Sequence, residues 1–137
     1  MIQLVIVLCA CGILIGLLLP ARTGGGPTKR GTARAEIYSL SAALSRYCLD
    51  IGQNPTGSKS EVLKEISGQN SRKIKFFEAK QNRINRNGEL LDPWMIPYEI
   101  QFLAGTNHTI HSAGPNCTFG DKDDIIYDGS KNDFVKP

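Results

Sequence analysis

At 137 residues the chain is long enough for one domain and too short for two of ordinary size. Its 16 basic and 13 acidic side chains leave a net charge of +3, too mild to argue for a nucleic-acid partner. The chain contains no Gly-x-Ser-x-Gly elbow, phosphate-cradling glycine loop or His-Glu-x-x-His pair, so the motifs of serine hydrolases, nucleotide hydrolases and zinc peptidases are missing.

Residues 1–19 are almost wholly apolar, with Gln3 the one strongly polar side chain, and the run stops sharply at Pro20-Ala21-Arg22. It approaches the ~20 residues that cross a hydrocarbon layer and reads as a membrane span. The competing reading is a cleaved signal peptide, but the run exceeds the usual apolar region of ~7–15 residues, begins without a basic stretch and has no small-x-small site directly after it. A lipoprotein signal at Leu8-Cys9-Ala10-Cys11 fails because the apolar run continues to Leu19, where a polar tether should begin. Cys9 and Cys11 read as small apolar filler. Arg22, Lys29 and Arg30 follow the run, and the positive-inside bias taken alone keeps that side cytoplasmic. Residues 21–32 contain Thr23-Gly24-Gly25-Gly26-Pro27, where backbone entropy and the missing proline donor loosen a helix. The expected organisation is a span over 1–20, a joint over 21–32 and a globular domain over 33–137.

Within that domain, apolar residues recur at Ala33, Ile37, Leu40, Leu44, Tyr47 and Ile51, in steps of four and three that draw one stripe along a helix. Gly52 and Pro55 supply its stop. Ser58 with Glu61 three residues on makes a capping box for a second, short helix ending at Gly68. A basic run follows at Arg72, Lys73, Lys75, Lys80, Arg83 and Arg86, with Glu78 the acid among them. It reads as a solvated face, with an anionic lipid or protein partner as the alternative. Short strands are expected at 74–76, 98–102 and 109–111, with turns at Asn87-Gly88 and Gly105-Thr106-Asn107. The fold class is therefore α+β: an N-terminal hydrophobic helix, then a long amphipathic helix packed on a small antiparallel sheet.

Three constellations are candidates for chemistry. His108-x-x-His111 with Cys117 has the residue types of a zinc site, but residues three apart on a strand face opposite ways and do not converge on one ion. In the segment 89–98, two prolines four apart around the single tryptophan rule out a regular helix or central strand. The chain turns there, Trp94 and Tyr98 pack inward, and Asp92 serves as a turn acceptor instead of an active group. Residues 112–125 gather Asn116, Asp121, Asp123 and Asp124 in one flexible stretch, the hard oxygen donors that calcium takes; a generic acidic turn is the alternative. The spacing is not that of an EF-hand, since counting from Asp121 the sixth position is Ile126 and the twelfth Asn132. If the domain lies in an oxidising compartment, Cys48–Cys117 is the bridge available to it.

Four stretches, "GILIGLLLP" (12–20), "ARAEIYSLSAALSRYCLDIGQNPT" (33–56), "ELLDPWMIPY" (89–98) and "SAGPNCTFGDKDDI" (112–125), together resemble the type IV pilin-like proteins. More narrowly, they resemble the major pseudopilin of type II secretion, the G-type subunit. They are similar, in order, to its apolar N-terminal helix, its helix and exit segment, its Asp-Pro-Trp-Gly-x-Pro-Tyr motif and its calcium loop. The resemblance implies a pilin-like, non-catalytic subunit inserted once in the bacterial inner membrane, with its globular domain in the periplasm. Such a subunit is processed by a prepilin peptidase. It polymerises with copies of itself and other pseudopilins, works with inner-membrane proteins of the secretion machinery, and drives folded cargo through an outer-membrane secretin. It also implies calcium as a cofactor, held by Asn116, Asp121 and Asp123 or Asp124 with the backbone oxygen of Ala113. A type IV pilin, or a membrane-anchored pilin-like binding protein that does not polymerise, is the alternative. Gln3 stands at the family's glutamate position, Met95-Ile96 replace Gly-x, Gly24-Gly25-Gly26-Pro27 interrupts the usual helix, and Asn116 replaces an aspartate, which predicts weaker cation affinity.

Overall fold

The computed structural model describes residues 28–137. The apolar run with Gln3, Cys9 and Cys11, and the joint as far as Pro27, lie outside the described residues. Among the described residues no helix is long and apolar enough to cross a membrane.

Helix α1 spans Lys29–Ile51. It opens at Lys29 instead of Ala33 because Thr28 caps it, its Oγ1 accepting from the Gly31 N–H at 3.1 Å. It ends as expected at Gly52, which takes a left-handed φ of 90° and donates to the Cys48 carbonyl at 2.9 Å. The expected stripe is buried at Ala33, Ile37, Leu40, Leu44 and Tyr47, with Ile51 half-buried at the end. Helix α2 spans Lys59–Ile66 and carries the expected capping box: the Ser58 N–H donates to Glu61 Oε2 at 2.7 Å, and the Glu61 N–H returns to Ser58 Oγ.

Four strands follow: β1 (Glu99–Phe102), β2 (His108–Ser112), β3 (Ile125–Asp128) and β4 (Asp133–Val135). They form an antiparallel meander in chain order, with Ile100 opposite Ile110, Ser112 opposite Ile125 and Tyr127 opposite Phe134. The turn at Gly105-Thr106-Asn107 closes β1 onto β2, with the Leu103 N–H donating to Asn107 O at 2.8 Å. Two strands, β3 and β4, go beyond the sequence expectation. One expected strand is corrected: residues 74–76 form no strand and join no sheet. The Phe76 and Phe77 N–H groups both donate to a single carbonyl, that of Ile66, and the Asn70 side chain bonds both backbone groups of Ile74. That leaves no ladder for a strand partner.

The α1 stripe lies on the inward face of the sheet, against Ile110, Ile125 and Tyr127, with Val62, Leu63 and Ile66 of α2 and Tyr98 closing the sides. Each fully buried Ile or Leu here contributes about 2 kcal/mol. Tyr38, Tyr127 and Phe134 form an edge-to-face triangle with centroids 5.0–5.4 Å apart, and Arg34 lies 4.8 Å over the Phe134 ring. These contacts bind the short β4 to α1. Cys48 and Cys117 are both free thiols.

Candidate functional site

The acidic stretch is the connection between β2 and β3, residues 113–124, and its two ends are fixed by the Ser112–Ile125 pair of the ladder. The arms touch inside the loop. Gly114 has φ of 67°, and a Cβ there would collide with the Asp123 carbonyl, so glycine is required on both counts. The interior is a web of aspartate turns. Asn116 accepts from the Thr118 N–H at 3.0 Å and donates from Nδ2 to Asp121 Oδ2. Asp121 Oδ1 accepts from the Asp123 N–H at 2.8 Å, and its carbonyl accepts from the Asp124 N–H. Asp124 Oδ2 accepts from the Gly120 N–H at 2.8 Å.

Asp124 is 6% exposed, and its Oδ1 is buried without a donor among the described residues. A buried carboxylate oxygen with no partner is costly and is the kind of group a cation satisfies. Asp123 is placed differently. Its carboxylate lies 3.7 Å from Arg30 at the start of α1, and Arg30 also donates to its carbonyl at 3.3 Å. The loop thus brings Asn116, Asp121 and Asp124 into one web, turns the Asp123 side chain toward Arg30, and buries Ala113 completely. Among the described residues no three His, Cys, Asp or Glu side chains cluster as a metal centre. A cation here would draw on Asp124, Asp121 and neutral amide and main-chain oxygens, a donor set that calcium accepts.

The loop rests on a buried carboxylate from the proline turn. Asp92 is 0% exposed; its Oδ1 accepts from the Trp94 and Ile96 N–H groups, both at 2.9 Å, and its Oδ2 accepts from the Ser112 hydroxyl at 2.6 Å. The turn acceptor expected from the sequence is therefore also the anchor of Ser112, the residue of β2 from which the loop departs. Ser112 was not singled out by sequence reasoning, and the available signal was its place on the inward alternation of β2 with His108 and Ile110. Tyr98 packs inward as expected and donates to Glu36 Oε2 at 2.8 Å, an oxygen that Arg83 also reaches at 3.0 Å. Burial, with the Glu36 carboxylate beside it, pushes the Tyr98 phenol well up.

His108 and His111 diverge, as the strand period requires. His108 is 1% exposed and meets Ser41 of α1, Nε2 to Oγ 2.8 Å, with Nδ1 3.1 Å from the Thr106 carbonyl. His111 lies on the other face of β2, and Cys117 sits in the loop, its sulfur 3.9 Å from the Trp94 carbonyl. The Ser41–His108 pair has the atoms of a nucleophile and base but is sealed between helix and sheet, where no substrate reaches it. In the basic run, Arg83 is engaged with Glu36 and Lys75 with Glu78, while Arg72, Lys73, Lys80 and Arg86 are exposed.

A family model described as Type II secretion system (T2SS), protein G matches residues 24–127, which take in α1, α2, the proline turn and the whole 113–124 loop. No curated protein and no solved structure matches the chain.

Proposed function

The chain belongs to the type II secretion system protein G family, and from that premise we propose that it is a structural subunit of a pseudopilus, anchored in the bacterial inner membrane by residues 1–20 with its globular domain in the periplasm. The observation that carries this reading is the family match over α1, α2, β1, β2 and the loop together. In this role the apolar run holds the monomer in lipid and then packs beside other copies, and the filament drives folded cargo through an outer-membrane secretin. Calcium would be held by Asp124 and Asp121, with amide and main-chain oxygens from the Asn116 and Ala113 region, and would supply positive charge to the acidic loop. The buried Asp124 oxygen supports that part.

Self-crosslinking in native membranes tests the assembly. A ladder of dimers, trimers and higher species that disappears when residues 1–20 are replaced by an unrelated span supports the reading. A chain that crosslinks only as a monomer contradicts it and favours the non-polymerising binding protein.

A further inference from the structure

We infer that Asp92 is a positioning residue for the cation affinity of the 113–124 loop, acting through Ser112; the inference rests on the calcium reading above. Asp92 is closed by burial to any ligand of its own. Both its oxygens are committed inside the protein, and it is fully buried. Ser112 is the last residue of β2, fixed opposite Ile125. Its proton goes to Asp92, which leaves its oxygen free to accept from the Gly114 N–H at 3.3 Å.

That relay of carboxylate, hydroxyl and amide ends where the loop's arms meet, since Gly114 lies against the Asp123 carbonyl. Asp123 is the covalent neighbour of Asp124, whose Oδ1 is buried without a hydrogen-bond partner among the described residues. A second contact runs in parallel, from the Cys117 sulfur to the carbonyl of Trp94 in the same turn. The proline turn therefore holds the loop at its first arm and near its middle before any cation arrives. A site already ordered loses less entropy on binding, so release of this anchor weakens affinity even though no ligand is removed.

The test is calorimetric titration of the full chain in detergent with Ca²⁺ alone. Ser112→Ala breaks the relay and leaves both turn bonds at Asp92 Oδ1; its Kd rises about fivefold or more. Ser112→Thr, which restores the hydroxyl, returns Kd toward that of the natural chain. Asp92→Asn, which keeps the turn acceptor but presents an amide donor to Ser112, weakens binding in the same direction and serves if Ser112→Ala does not fold. A bond that matters only for folding lowers the unfolding temperature in chelator and leaves Kd within about twofold. That result overturns the inference while leaving calcium in place. Failure of the natural chain to bind Ca²⁺ overturns both.

Discussion

The Ser112 hydroxyl donates to the Asp92 carboxylate at 2.6 Å, joining two segments 20 residues apart inside the domain. One buried side chain thereby organises the proline turn and the start of the acidic loop. Asp92→Ala leaves the Trp94 and Ile96 N–H groups and the Ser112 hydroxyl without their acceptor. At about 1–3 kcal/mol for each unsatisfied buried group, with partial relaxation, the loss of stability is about 3 kcal/mol. Urea unfolding followed by Trp94 fluorescence measures it, and a loss below about 1 kcal/mol contradicts the anchor.

Gly114→Ala combines a left-handed backbone with a Cβ collision against the Asp123 carbonyl. The expected cost is about 2 kcal/mol. The same substitution at Gly105, where φ is also positive but no atom lies near, costs less. Equal losses at the two positions would show that backbone strain alone, and not closure of the loop, makes Gly114 necessary.

Glu36 Oε2 accepts from both Tyr98 and Arg83, and Arg83 also donates to the Leu91 carbonyl at 2.6 Å, so the two partners depend on Glu36 unequally. Tyr98→Phe removes one hydrogen bond and costs about 1 kcal/mol. Glu36→Ala leaves the Tyr98 hydroxyl without its acceptor and Arg83 with the Leu91 carbonyl in place of a carboxylate, and costs about 2–3 kcal/mol. Denaturation midpoints of the two variants check the order.

Burial pulls the His108 imidazole below its ordinary value of 6.5, and the bond to the Thr106 carbonyl offsets this in part. The folded chain keeps His108 neutral where the unfolded chain already binds a proton. Stability from this group is therefore complete above about pH 6.5 and declines as pH falls below it toward the lowered folded value. The slope approaches about 1.4 kcal/mol per pH unit within that window. His108→Gln flattens the slope between pH 7.5 and 5.5, and an unchanged slope excludes His108 as its source.

How much of this was legible in the sequence depended on range. The α1 stripe and the Ser58–Glu61 box follow from spacing within one helix, and both appear in the structure. Asp92 was legible as a turn acceptor because its partners lie two and four residues away. Its hold on Ser112 was not, since that bond exists only once the sheet places β2 beside the turn. The strand β3 was hidden because Ile125 closes a stretch dominated by aspartates, and β4 is only three residues long. At 74–76 the alternation suggested a strand, but the Asn70 side chain and the Ile66 carbonyl take the backbone groups that a neighbour would need. Likewise the approach of Asp123 to Arg30 spans 93 residues and left no local trace.

The proposed cation site at Asp124 is tested most directly by thermal unfolding of the full chain in Ca²⁺ and in chelator. Ligand linkage at about 100 times Kd contributes about 2.7 kcal/mol, which for a domain of this size raises Tm by roughly 10 °C. The account predicts that rise for the natural chain and its loss in Asp124→Ala. An identical Tm in millimolar Ca²⁺ and in chelator, or a rise that survives Asp124→Ala, would contradict it.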